Sequence, residues 1–451
     1  MKEACGVFGI YGESEAARIT FFGLYSLQHR GQESAGIAVA DGKKISLEKG
    51  MGLISQVFSE ERIRDLKGYL AIGHNRYSTT GSSLLNNAQP FLFQSNLWSF
   101  AIAHNGNLSN TKVLKKQLSK EGVNFFSSAD SEVIGHLILK SKGKTFEEKL
   151  LKGVALLEGA FSLLILTKDK LYAIRDPFGV RPLTLGKFRS SWVVASETCA
   201  FATIGANFKR DIRPGEVLRI DKNGLRTIAH NGKDPDAFCI FEYIYFSRPD
   251  SFINGRLVYL TRLRAGQQLA KECPAPGADL VIAVPDSGTS AALGFSQGSK
   301  IPFLEGLIKN RYLGRTFIQP GQGLRRLGVK LKFNPLPEML KGKKIVLVDD
   351  SIVRGTTTAG VVKMLKKFGA KEVHLRVASP PLIAPCFLGI DIERYKELVA
   401  HGRSLEQIRQ KLGADSLGYL SLEGLKKAIG KFNGGFCDGC FTGRYPVEIK
   451  S

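Results

Sequence analysis

The sequence predicts an α+β half followed by an α/β half, on three observations. Up to about residue 230, short strands and hairpin turns surround a few amphipathic helices. The stretch HNGKDPDAF, residues 230–238, is a break rich in Gly, Pro and Asp. Beyond it, short continuous apolar strands alternate with helices, the pattern of a parallel sheet covered on both faces. The chain of 451 residues has room for two or three domains, and 43% apolar with 23% charged residues excludes disordered and fibrous classes.

Each element has a local reason. CGVFGIYG opens as a strand, and EAARITFFGLYSLQ repeats apolar residues at helical spacing until Gly31 stops it. Asp41-Gly42 between IAVA and KISL, and Asn223-Gly224 between EVLRI and LRTI, mark hairpin turns. Helices are expected near 110–121, 130–142 and 146–157. After the break, helix LVYLTRLRAGQQLAKE leads to strand ADLVIAVPDSG and helix SAALGFSQG. Strand KKIVLVDDS then runs into helix TTAGVVKMLKKFGA and strand EVHLRVASPP, and from about residue 392 the pattern reads as helical up to a C-x-x-C. No internal repeat or low-complexity segment interrupts this order.

Lys and Arg exceed Asp and Glu by 23, which favours anionic ligands and phosphorylated metabolites in particular. The basic residues fall in short groups such as Lys115-Lys116 and Lys366-Lys367 on expected helices, so no nucleic-acid partner is expected. No run reaches the length of a membrane span and no apolar segment precedes Cys5, so the expectation is a cytoplasmic protein with no membrane partner. Seven cysteines in a chain of this size do not read as a disulfide scaffold.

The string KKIVLVDDSIVRGTTTAG joins a buried strand, an acid pair, a glycine and hydroxyls opening a helix, an arrangement that binds phosphate at the carboxyl end of a strand. Cys5 poses a separate question. A cysteine at the start of a mature chain can use its own α-amine as general base, which requires Met1–Ala4 to leave. Cys239, Cys386, Cys437 and Cys440 offer four thiolates, which suit tetrahedral zinc or a [4Fe–4S] cubane, and their spacing does not choose between the two.

VLVDDSIVRGTT resembles the loop of type I phosphoribosyltransferases that binds phosphoribosyl pyrophosphate (PRPP). FEYIYFSRPDS, AVPDSG and GLIKNRYLGRTFI resemble blocks of the amidophosphoribosyltransferases, a resemblance that runs from Cys5 to Pro446. In the amino-terminal half CGVFGI, LQHRGQES, GHNRYST, HNGNL and SSADSEV resemble the class II, N-terminal-nucleophile glutamine amidotransferases.

That resemblance implies an αββα glutaminase over 5–230 behind a propeptide 1–4. A type I phosphoribosyltransferase domain with a parallel sheet follows over 239–390, then a helical segment 391–451 with the cluster cysteines. It implies Cys5 as nucleophile, Asn105 and Gly106 as oxyanion hole, Arg76 for the α-carboxylate of glutamine and Asp130 for its α-ammonium. Lys309, Arg311, Ser351, Arg354, Gly355, Thr356 and Thr357 would bind PRPP, with Mg²⁺ associated with Ser287, Asp349 and Asp350. CIFEYIYFSRPDS, PPLIAPCFLGID and CDGCFTGRYP resemble the cluster-bearing branch, which implies a structural [4Fe–4S] on Cys239, Cys386, Cys437 and Cys440. Cys199 and Cys273 are expected to be packing residues.

The implied reaction passes ammonia from glutamine to PRPP, giving 5-phosphoribosylamine, glutamate and pyrophosphate, the first committed step of purine synthesis. Purine nucleotides as feedback inhibitors and a homotetramer or homodimer follow from the same resemblance. Two alternatives stay open on the sequence: the same glutaminase serving another acceptor, and a non-catalytic iron–sulfur regulator on this fold.

Overall fold

Two antiparallel sheets lie face to face in the amino-terminal half of the computed structural model, which describes residues 5–77, 84–310, 332–390, 394–431 and 434–449. The first sheet has seven strands, with Gly6–Tyr11 central between Ser191–Ala195 and Leu70–Arg76. The second has six and is centred on Gly159–Leu166, between Leu171–Arg175 and Ser99–Leu108. Val7, Ile72, Ala103, Leu164 and Ala173 fill the space between the sheets. Helix Ala16–Ser26 covers the outer face of the first, over Phe8, Ile10 and Ile37. Helices Thr111–Lys120, Asp130–Lys140 and Phe146–Val154 cover the second.

This is an αββα sandwich, and it explains why GAFSLLIL reads as an unbroken apolar run. One of its faces meets the other sheet and the other meets helices, so every residue is buried. Both expected hairpins form, pairing Ser34–Ala40 with Ile45–Met51 and Glu216–Asp221 with Gly224–His230.

The break after His230 leads to strand Ala237–Cys239 and then to a π-helical turn, Glu242–Phe246. The second half is built on a four-stranded parallel sheet in the order Leu280–Ala283, Lys344–Asp349, Glu372–Val377, Ser416–Tyr419. Helix Val258–Glu272 packs against Thr289–Ser299 through two glycines. A Cβ on Gly266 would stand 1.9 Å from the Ala291 carbonyl oxygen, and one on Gly294 1.9 Å from that of Leu263. Gly266→Ala should therefore cost about 1–3 kcal/mol through overpacking, read as a lower urea midpoint at unchanged slope.

The carboxyl-terminal stretch departs from expectation. It is helical over Leu405–Leu412 and Leu422–Ile429, but Ser416–Tyr419 between them is the fourth strand of the sheet. SLGY is too short and glycine-interrupted to announce itself, and only its pairing with Glu372–Val377 makes it a strand. A boundary at residue 390 divides the chain but not the sheet. No helix among the described residues is long and apolar enough to cross a membrane.

Candidate active sites

Cys5 immediately precedes the central strand Gly6–Tyr11, whose pairing with Leu70–Arg76 sets Gly6 opposite Asn75. Its Sγ donates to the Tyr77 carbonyl at 3.4 Å, and the thiol is buried. Burial raises the thiol pKa, the Tyr77 backbone and Arg76 oppose that rise, and Glu33 and Asp130 add to it. Arg76 and Asp130, expected at the two ends of one substrate, are thus both electrostatic neighbours of the sulfur.

Arg76, at the end of its strand, pairs with Glu33 and is buried. Asp130 opens helix Asp130–Lys140 and accepts from the Leu108 amide at 3.0 Å. Burial pushes its pKa up, but His104 and hydrogen bonds from Leu108 and Ser131 hold it below the ordinary carboxylate value. Asp130 is therefore an anion near neutral pH, suited to an ammonium group.

Asn105 and Gly106 lie on strand Ser99–Leu108. The Asn105 side-chain amide is buried with neither its nitrogen nor its oxygen hydrogen-bonded among the described residues, which leaves its N–H donors free for an oxyanion at the site. Gly106 has φ +154°, and a Cβ there would meet the Ala160 carbonyl oxygen at 1.9 Å. Only glycine fits.

Behind Cys5 lies a buried charge network that the sequence did not reveal. Arg30 donates to the Cys5 carbonyl at 3.0 Å and to Glu197 at 2.6 Å, and forks onto both oxygens of Glu242 at 2.9 and 2.8 Å. Glu242 also accepts from Ser247 at 2.6 Å, so the Cys5 backbone is tied through Arg30 to the segment that starts the second half. LQHRGQES carries Arg30, but its partners lie 167 and 212 residues away, beyond the reach of local pattern.

The second site lies at the carboxyl ends of two adjacent parallel strands. Asp349 and Asp350 end strand Lys344–Asp349, and Ser287 follows strand Leu280–Ala283 and hydrogen-bonds Asp350. Burial raises both carboxyl pKa values, and Asp350 pushes Asp349 further. Ser351 Oγ donates to Asp350 at 2.5 Å and Thr358 Oγ1 to Asp349 at 3.4 Å. Thr358 is the buried hydroxyl of the first helical turn, and the sequence did not single it out. Gly355 caps helix Thr356–Lys367 at φ +75°, leaving Thr356 and Thr357 exposed on the first turn.

Lys309 pairs with Asp286, beside Ser287. Arg354, expected on substrate, turns outward to Glu397, with Nε donating at 2.9 Å. Arg311 and Met1–Ala4 lie outside the described residues.

The third feature is the cysteine group. Strands Ala237–Cys239 and Gly435–Cys437 pair in parallel with Cys239 opposite Cys437. The Cys440 carbonyl accepts from the Ile383 and Ala384 amides at 3.0 and 3.2 Å, which brings the chain before Cys386 alongside. Burial raises the Cys437 and Cys440 pKa values, with further increments from Cys239 and Cys386. Cys199 and Cys273 stand apart, against Glu197 and the Tyr419 carbonyl.

A glutamine amidotransferase domain family matches residues 74–203 and a phosphoribosyl transferase domain family matches 266–379. The amidophosphoribosyltransferase of Synechococcus elongatus is 50% identical, over 99% of this chain and 92% of its own. The chain belongs to the amidophosphoribosyltransferase family. The Bacillus subtilis amidophosphoribosyltransferase is 49% identical over 100% of this chain and 95% of its own. The solved B. subtilis glutamine PRPP amidotransferase, complexed with ADP and GMP, superposes with a TM-score of 0.94 at 48% identity, covering 99% of this chain and 98% of that one. A structure described as the allosteric regulatory enzyme of purine biosynthesis gives 0.95 at 48% identity, covering 99% and 97%.

The amidophosphoribosyltransferase reading accounts for the order of parts: a glutaminase sandwich first, then a phosphoribosyltransferase sheet. The enzyme moves nitrogen from glutamine to PRPP, yielding 5-phosphoribosylamine, glutamate and pyrophosphate. A different acceptor would need a different second half, and the family match over 266–379 removes that alternative.

Proposed function

We propose that Cys5, freed by loss of Met1–Ala4, attacks the glutamine amide with its own α-amine as base. Asn105 and the Gly106 amide stabilise the oxyanion, Arg76 holds the α-carboxylate and Asp130 the α-ammonium. The observation that carries this reading is that the charges of Arg76 and Asp130 both act on the Cys5 sulfur. Glutamine would need Arg76 to share its guanidinium between Glu33 and the substrate. The glutaminase then spans 5–230, the transferase 239–390 and the cysteine-bearing tail 391–451. N-terminal sequencing of the active enzyme should begin at Cys5; full glutaminase activity with Lys2-Glu3-Ala4 still attached would overturn the nucleophile assignment.

Arg76→Lys keeps the charge but loses the planar fork, so the KM for glutamine should rise about tenfold or more, with ammonium-dependent turnover unchanged. Parallel steady-state assays with the two nitrogen donors separate these effects.

In the transferase half, Ser351, Gly355, Thr356 and Thr357 would receive the 5-phosphate at the start of a helix, with Lys309, Arg311 and Arg354 on the pyrophosphate side. Arg354 would have to leave Glu397 to do so. Two carboxylates and a hydroxyl are hard oxygen donors, a set that fits Mg²⁺ held with substrate oxygens. Mg²⁺ would be held by Asp349, Asp350 and Ser287, and when bound would offset pyrophosphate charge.

Four cysteine thiols are a donor set that suits a [4Fe–4S] cluster. Among the described residues no three such side chains converge on one metal position, yet the four thiols feel one another. Cys239, Cys386, Cys437 and Cys440 would hold [4Fe–4S] as a structural tie between the linker, the loop before residue 390 and the tail. Purine nucleotides as feedback inhibitors, as the ADP and GMP of the B. subtilis relative support, a homotetramer or homodimer, and a cytoplasmic setting complete the proposal.

A further inference from the structure

We propose that Arg181 is the buried counter-cation of the cysteine pocket, offsetting part of the charge of the anionic cluster and donating its Nε and Nη1 hydrogens, which make no hydrogen bond among the described residues, to the cluster's sulfurs. The inference rests on the cluster reading above and assigns the group a residue from the glutaminase half.

Arg181 is wholly buried. Its Nη2 donates to the Leu388 carbonyl at 2.7 Å, two residues beyond Cys386. The Val180 carbonyl accepts from the Cys239 amide at 3.1 Å, so backbone and fork both abut cluster segments. Its Nε and Nη1 are buried without a hydrogen-bond partner among the described residues. The nearest carboxylate, Glu242, lies 3.6 Å from Nη1, but both its oxygens already accept from Arg30. A buried guanidinium with two idle donors is costly as it stands.

The cysteines supply what is missing. The Arg181 guanidinium reaches the Leu388 carbonyl just past Cys386, and its neighbour Val180 holds the Cys239 amide, so it borders two of the four cysteine segments. A cluster with four thiolate ligands carries net negative charge and sulfur acceptors, and buried charge needs a paired, hydrogen-bonded partner. Arg181 meets both needs from one side chain. It also stands beside the Glu242–Arg30 pair that reaches the Cys5 carbonyl, so cluster pocket and glutaminase share one buried electrostatic frame.

Removing the cation makes loss of an electron from the cluster easier, because oxidation adds positive charge there. The test uses full-length enzyme purified without oxygen, assayed for iron and acid-labile sulfide and then exposed to air while the cluster absorbance is followed. Wild type must contain iron and sulfide. Zinc, or no metal, would overturn the cluster reading and this inference with it. Given a cluster, Arg181→Gln should bleach about tenfold faster than wild type, and Arg181→Lys, which keeps the charge, should stay within about threefold.

Equal bleaching of Arg181→Gln and wild type would overturn the role of Arg181 while leaving the cluster in place. Arg181→Lys bleaching as fast as Arg181→Gln would overturn the charge argument. An independent reading needs no variant. Wild type grown with ¹⁵N-arginine, its cluster made paramagnetic by a one-electron chemical oxidant or reductant, should show hyperfine coupling to arginine nitrogen. Absence of that coupling would overturn the contact.

Discussion

Cys5→Ala should abolish glutamine-dependent formation of 5-phosphoribosylamine, by at least about a thousandfold, while ammonium-dependent turnover stays within about twofold of wild type. The asymmetry follows from where the two chemistries sit. Cys5 immediately precedes the central strand of the sandwich's first sheet, whereas Asp349 ends, and Asp350 follows, a strand of a separate parallel sheet. Among the described residues the sulfur hydrogen-bonds the Tyr77 backbone alone, so its loss leaves no charged hydrogen-bond partner stranded there. The small volume change in a packed position keeps the fold, and the ammonium assay on the same sample serves as the control. Equal loss with both donors would place Cys5 in the structure of the whole enzyme and not in one half-reaction.

Asp349→Asn with Asp350→Asn should lower turnover about a hundredfold or more with either donor, since this pair serves the PRPP half common to both. Stability should move the other way. Burial raises both carboxyl pKa values above their unfolded values, and the Asp350 charge raises that of Asp349 further. The folded state then binds protons more tightly than the unfolded chain, so stability falls as pH rises from the unfolded carboxylate range up through the raised folded values. Neutral amides remove that penalty, so the metal-free double variant should melt at a higher temperature than metal-free wild type at pH 7. Mg²⁺ should raise the melting temperature of wild type only, and its affinity for wild type should weaken as pH falls through the raised carboxyl values. Metal titrations followed by thermal melts at several pH values read both effects. A double variant less stable than wild type would mean that the acid pair holds the loop together and stores no repulsion.

Much of this arrangement is legible in sequence because its signals are local. The acid pair, Gly355 and the threonines of VLVDDSIVRGTT occur within one strand–loop–helix unit, and their spacing alone fixes them at a strand's carboxyl end. The two hairpins are equally local, each set by a dipeptide with glycine. Arg30, Glu197, Glu242 and Arg181 are illegible for the opposite reason: they are charged residues that sequence reading assigns to surfaces, and only tertiary pairing buries them. Strand Ser416–Tyr419 is hidden likewise, since its order comes from Glu372–Val377. Thr358 differs from its neighbours Thr356 and Thr357 only in which face of the helix turn it occupies, and that face is settled by the acid it meets.

The most direct test of glutaminase and transferase acting as one enzyme is the product ratio of wild type given glutamine, PRPP and Mg²⁺. Glutamate and pyrophosphate should appear one for one, with 5-phosphoribosylamine trapped in equal amount. Glutamate accumulating while PRPP stays intact would contradict it, leaving a glutaminase with no acceptor in this chain.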